Sequence, residues 1–290
     1  MRWLGQHPEI NIPPKELNFL KRHEPWQLLA YFYTEFPKDP KLMRGYKAPS
    51  DINDIRPIRL LSVFFPETKL IIGMRHPIWM LQSLYNFRIQ NGVDIVPFEK
   101  IQRINFKESK MVYFNRARYH DALANLGKTK LSSEEEWQYF SKDFRLKIEK
   151  KRNTTGERTP ALHRNKVFLY DIEQLSDKNE ARLSQFLLDL KNYLGLTRDL
   201  PPPIKQVPGR EISAEIQEQR SSLKINVCDE KYAEQRQLLV KYGTQAQAWI
   251  LDYFLASPDV MVSNPNHFRK VLESYQHDPC AGQSSNTTVS

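Results

Sequence analysis

The stretch Lys69-Leu-Ile-Ile-Gly-Met-Arg-His-Pro-Ile-Trp-Met-Leu-Gln-Ser-Leu-Tyr-Asn-Phe-Arg88 decides how this chain is read. Leu70, Ile71 and Ile72 form the apolar run of a short strand covered on both faces. Arg75 falls at the C-terminal end of that strand. Pro77 suits the first helical position, where a missing N–H costs nothing. The helix then carries Leu81, Leu84, Tyr85 and Arg88 and stops at Asn91-Gly92. Open α/β sheets bind ligands at the carboxyl ends of their strands. An arginine there, with the hydroxyl of Ser83 from the next helix, has the chemistry to hold one phosphate. The plain alternative is an ordinary strand-to-helix turn with a surface arginine.

This segment resembles the 3′-phosphate-binding element of the sulfotransferases that use 3′-phosphoadenosine-5′-phosphosulfate (PAPS). In that family a strand leads into Arg-x-Pro, a serine eight residues after the arginine, then an aromatic and a basic residue. Arg75, Pro77, Ser83, Tyr85 and Arg88 stand in those places. Other segments follow in the family's order. Leu4-Gly-Gln-His-Pro-Glu-Ile10 and Lys15-Glu-Leu-Asn-Phe19 resemble the His-Pro-x-Ile and Lys-Glu-x-x-Phe stretch of carbohydrate sulfotransferases. Tyr46-Lys-Ala-Pro-Ser50 resembles their Glu-Lys-(Ser/Thr)-Pro-x-Tyr element. Val167 to Leu175 resembles a later strand ending in Tyr-Glu-x-Leu, and Leu183 to Leu196 resembles the helix that closes the domain. The resemblance spans residues 4 to 200.

The resemblance implies an α/β, P-loop-NTPase-like sulfotransferase fold, with a central parallel sheet flanked by helices. It implies PAPS as the sulfuryl donor, with no metal, and Arg75 and Ser83 as the residues that bind it. It also implies Glu16 as the base and Lys47 as the cation beside the transferring group, with Lys15 as a second candidate. Sulfuryl transfer is an in-line displacement like phosphoryl transfer, so positioning and charge stabilisation dominate it. A carboxylate can take the acceptor's proton, and a cation can stabilise developing charge. A solvated glutamate and a surface lysine are the plain alternatives for Glu16 and Lys47.

The family's glycine-rich loop, which grips the 5′-phosphosulfate at a helix N-terminus, has no counterpart in this sequence. Pro208-Gly209-Arg210 has one glycine and follows no strand. The chain therefore reads as N-terminally truncated, beginning inside the first helix, with the first strand and the loop missing. Two functions are expected from this. One is a sulfotransferase moving a sulfuryl group from PAPS to a carbohydrate hydroxyl or amine. The other is a non-catalytic nucleotide- or glycan-binding protein that keeps the fold without the loop.

The 290 residues suffice for one α/β domain with extra helices. A hydrophobic content of 40% with 27% charged residues is that of an ordinary globular chain. The net charge of +9 suits an anionic nucleotide or a sulfated polysaccharide. Dispersed basic residues and the lack of a recognisable motif argue against nucleic acid. No apolar run reaches the ~18 residues of a spanning helix, and no signal peptide opens the chain. The family's members sit in the Golgi lumen behind an N-terminal anchor, so a truncated chain would have lost that membrane link. Asn153-Thr-Thr and Asn286-Thr-Thr would be glycan acceptors there. Cys228 and Cys280 are not spaced as a metal site. They form either one disulfide, in an oxidising compartment, or two buried thiols.

One domain is expected over residues 1–275, with a core over 1–200, a C-terminal helical part over 205–275 and a disordered tail over 276–290. Helices are expected over Trp26 to Phe36, as core packing, and over Pro57 to Phe65. Charged helical sequence fills 107–150, where Tyr119, Trp137 and Tyr139 are candidates for stacking on sugar rings. Two amphipathic helices joined near Cys228-Asp229 are expected over 211–255.

Overall fold

The computed structural model describes residues 3–36, 39, 41–92, 97–98, 117–128, 134–140, 142, 144–146, 149, 165–203, 218 and 221–281. Along the described chain run β1 (Ile10–Asn11), α1 (Pro25–Thr34), β2 (Met43–Arg44), α2 (Ile55–Phe64), β3 (Leu70–Met74), α3 (Pro77–Gln90), α4 (Tyr119–Ala124) and α5 (Glu134–Trp137). Then follow β4 (Val167–Asp171), α6 (Glu180–Leu194), α7 (Ala233–Asp252), β5 (Val260–Met261) and α8 (Pro265–Glu273). The fold is α/β, and every strand pairing among the described residues is parallel. The chain groups into two compact units. The first takes residues 1–74, 120–207 and 249–268; the second takes 75–119, 208–248 and 269–290.

The first unit holds the sheet, in the order β3-β4-β5. Five residue pairs, from Leu70↔Val167 to Met74↔Asp171, set the register of β3 on β4. Alternation along β3 sends neighbouring side chains to opposite faces. Leu70 packs with Leu28 of α1 and Leu61 of α2. Ile71 packs with Phe186, Leu190 and Tyr193 of α6, beside Phe168. Helices thus flank the sheet on both sides. The expectation that Leu70 to Ile72 are covered on both faces is corrected, because all three are half-buried. The covered strand is β4, whose Val167, Phe168 and Leu169 have no exposure. The strand order explains the difference, since β4 lies between β3 and β5.

Helix ends follow local chemistry. Asn179 caps α6 by accepting the Arg182 N–H at 3.0 Å, and Gly195 closes it at φ 77°. The aromatic helix α1 is only partly core. Leu28 is fully buried, while Trp26 and Tyr33 are 66% and 69% exposed. A ten-residue helix apolar on all sides can bury only the face that meets α2 and the 17–20 turn.

The second unit is built on α3. His76 caps it, Pro77 opens it and Asn91-Gly92 closes it, with Gly92 at φ 68°. Ile78, Leu81, Tyr85 and Ile89 face a core that includes Phe98, Val227, Tyr232 and Leu239. Of the two helices expected over 211–255, α7 is the second; residues 211–217 lie outside the described residues. The sequons at Asn153 and Asn286, Pro208-Gly209-Arg210 and the tail from 282 also lie outside them. The expected tail boundary at 276 falls within bonded chain. Asp278 pairs with Arg236 at 2.8 Å, and Cys280 is joined to Cys228.

That disulfide closes a loop of 52 residues within the second unit. Reducing it, or replacing both cysteines with serine, should lower stability by about 2–4 kcal/mol through the freed chain entropy of the unfolded state. Melting curves recorded with and without a dithiol reductant check this. Superimposable curves would mean that the bond contributes nothing.

Candidate functional site

In the first unit, two loops are stitched side by side. β1 pairs with β2 at Ile10↔Met43 and Asn11↔Arg44. Beyond that pair the Gly45 N–H donates to the Asn11 carbonyl at 2.9 Å, and the Leu17 N–H donates to the Lys47 carbonyl at 3.1 Å. Ser50 Oγ donates to Asn18 Oδ1 at 3.4 Å. These bonds bring Lys47 Nζ to 2.9 Å from Glu16 Oε1, with both side chains half exposed. Lys15 is exposed beside them.

The same unit holds a carboxyl that the sequence does not announce. Asp51 is 6% exposed, and neither of its oxygens has a well-formed hydrogen bond. The Tyr46 hydroxyl faces it, short of good geometry, and Lys21 contributes its charge. Burial dominates, pushing the Asp51 carboxyl up to about 6 against the opposing pull of Lys21. Burial also raises the Tyr46 hydroxyl above its ordinary range, and Asp51 adds to that shift.

In the second unit, Arg75 directly follows β3 and is half-buried. Its backbone is held at both ends by one hydroxyl. The Arg75 N–H donates to Tyr119 Oη at 3.3 Å, and that hydroxyl donates to the Arg75 carbonyl at 2.7 Å. The Arg75 guanidinium makes no hydrogen bond or ion pair among the described residues. Next to it, His76 accepts the Ile78 N–H at Nδ1, 3.3 Å away. Nε2 therefore carries the proton, shared by the Ser274 and His277 carbonyls at 3.2 Å each. Burial holds the His76 pKa below the usual histidine value.

Of the residues expected from the sequence, Glu16 and Lys47 are brought together. Arg75 and Ser83 share one turn-and-helix, but no bond joins them. Ser83 is exposed, on the side of α3 away from the buried stripe. The candidate sugar-stacking residues have internal partners. Tyr119 grips Arg75, Tyr139 donates to Asp252 at 3.0 Å, and Trp137 meets Phe140 edge-on. His76 and Asp51 escaped the sequence reading. A polar residue in a loop gives no local sign of burial, although the His-Pro pair at 76–77 was a visible cue to a cap.

Among the described residues, no three His, Cys, Asp or Glu side chains gather as a metal site. No described helix is long and apolar enough to cross a membrane. No family model matches the chain, and no curated protein matches it. Among solved structures, the chain is similar to a sulfotransferase from Alicyclobacillus acidocaldarius. The two are 13% identical, the match covers 86% of this chain and 89% of that one, and the TM-score is 0.47. A likeness of that size does not by itself assign an activity.

The Asp51 carboxyl gives a testable pH dependence. Its folded pKa, about 6, lies above the unfolded value near 4. Its stabilising share is therefore full below pH ~4 and lost as the pH rises through about 6. Asp51→Asn should stabilise the protein by about 1–3 kcal/mol at pH 8 and leave it unchanged at pH 4. Melting temperatures of the two proteins across that range test this. A gap that stays constant with pH would place the Asp51 pKa at its ordinary value.

Proposed function

We propose that this protein is a PAPS-dependent sulfotransferase whose acceptor is a carbohydrate hydroxyl or amine, working in the Golgi lumen if the full-length protein carries an N-terminal anchor. The observation that supports it most is the meeting of Glu16 and Lys47. Two loops far apart in sequence place a carboxylate and an ammonium 2.9 Å apart, as base and charge stabiliser of one transfer need. Arg75, at the carboxyl end of a parallel strand and before a helix N-terminus, makes no side-chain hydrogen bond or ion pair among the described residues, which supports a phosphate role.

In this reading Arg75 and Ser83 hold the 3′-phosphate of the donor. The acceptor oxygen or nitrogen attacks sulfur, and the bond from sulfur to the 5′-phosphate oxygen breaks. Adenosine 3′,5′-bisphosphate leaves. Glu16 takes the acceptor's proton, and Lys47 stabilises the charge that builds on the transferring group. An exposed ion pair is worth only about 0–1 kcal/mol. The Glu16–Lys47 pair therefore opens readily when substrate arrives.

A second reading is favoured by the exposure of the Glu16–Lys47 pair, which a solvated surface ion pair without chemistry would share. It is a nucleotide- or glycan-binding protein without turnover. Radiolabelled PAPS offered with desulfated heparan-type polysaccharide separates the two. The enzyme reading expects label on the polysaccharide, and Glu16→Gln should cut the rate by roughly 100-fold or more while leaving donor binding intact. Undiminished turnover in that variant removes Glu16 as the base. Binding of adenosine 3′,5′-bisphosphate with no transfer by the wild-type protein selects the second reading.

A further inference from the structure

We infer that Tyr119 is a positioning residue for Arg75, setting the direction in which that arginine offers its guanidinium to a 3′-phosphate. The inference rests on the phosphate role proposed for Arg75.

The hydroxyl of Tyr119 both accepts from the Arg75 N–H and donates to the Arg75 carbonyl. A single side-chain oxygen thus spans one residue's backbone and fixes both of its peptide planes. The Cα–Cβ direction follows from those planes, and the guanidinium starts from it. Among the described residues the guanidinium makes no hydrogen bond or ion pair, so the backbone grip is the polar restraint at this position. Preset orientation is what makes a planar guanidinium effective on a phosphate.

Tyr119 is itself held. Its ring lies 6.3 Å from that of Tyr275, which is fully buried and meets the His76 ring at 5.3 Å. Tyr275 fits because residue 243 is glycine. A Cβ there would lie 2.3 Å from the Tyr275 carbonyl oxygen. Asp278, three residues further on, is anchored by Arg236, whose guanidinium also donates to the Val227 and Asp229 carbonyls at 2.9 Å. The segment behind Tyr119 is therefore fixed on several sides, and the grip on Arg75 is rigid at its base.

Tyr119→Phe tests this, because it keeps the ring against Tyr275 and removes only the hydroxyl. The probes are adenosine 3′,5′-bisphosphate and adenosine 5′-monophosphate, titrated calorimetrically against wild-type, Tyr119→Phe and Arg75→Ala proteins, with melting temperatures recorded alongside. The ratio of the two affinities isolates recognition of the 3′-phosphate. Tyr119→Phe is expected to cut that ratio about tenfold while monophosphate affinity stays within about twofold. A merely structural role would lower the melting temperature, or both affinities together, and spare the ratio. An unchanged ratio in Tyr119→Phe, with the ratio abolished in Arg75→Ala, overturns the inference and leaves the Arg75 role standing. A ratio that survives Arg75→Ala overturns both.

Discussion

The parallel pairing of β3 with β4 is the constraint on which the rest of the first unit depends. Its start is clamped from three directions. The Asn165 amide donates to the carbonyls of Phe65, Pro66 and Thr68 at 2.9 to 3.1 Å, closing the turn that leads out of α2. The Tyr193 hydroxyl, on α6, contacts the Leu70 and Lys166 carbonyls at 3.0 and 2.7 Å. Lys69 Nζ donates to the Leu194 carbonyl at 2.9 Å. A slip of one residue would reverse every side chain of β3. Leu70 would leave the α1–α2 face and Ile71 would leave α6. Gly73 adds a second lock, because a Cβ there would meet the Tyr170 ring at 2.7 Å. Tyr170 crosses the glycine only in the observed register. Where β3 ends is fixed by these contacts.

The two groups of candidate residues differ in how they are held. Glu16 and Lys47 form an exposed pair set by backbone bonds between loops, and water competes for both charges. Arg75 is held through its backbone, and its guanidinium makes no hydrogen bond or ion pair among the described residues. The buried Asp51 carboxyl stands apart from both. It opens the short 3-10 turn Asp51–Asn53 and is ionised near neutral pH only against the cost of burial.

Much of the local architecture was legible. Leu70 to Ile72, Val167 to Tyr170, Pro77 as a helix start and Asn91-Gly92 as a stop all follow from apolar runs and cap chemistry, which act over a few residues. What sequence could not give was coverage. Leu70-Ile-Ile and Val167-Phe-Leu are both apolar runs, yet only the second is central, because strand order is decided by partners elsewhere in the chain. Trp26 and Leu28 likewise look equally apolar, and the difference between them is which side of α1 meets α2. Asp51 and Tyr119 were hidden for the same reason. The carboxyl is made unusual by a neighbourhood assembled from residues 21, 46 and 51, and the tyrosine by an arginine far back in the chain.

The His-Pro dipeptide illustrates how a motif can carry structure before it carries function. It occurs at 7–8 and at 76–77, once in each unit, and both histidines use the same device. His7 Nδ1 accepts the Glu9 N–H at 3.2 Å, and its Nε2 reaches the Arg198 carbonyl at 3.2 Å. His76 accepts the Ile78 N–H and reaches the Ser274 and His277 carbonyls. In each case the ring satisfies a backbone N–H two residues ahead, across a proline that cannot supply one. It then ties that turn to a segment roughly two hundred residues later in the chain. Both histidines are nearly inaccessible, at 2% and 4% exposure. The first of these dipeptides belongs to the stretch on which the sequence resemblance rests. Its geometry gives a sufficient physical reason for those two residues without any part in chemistry.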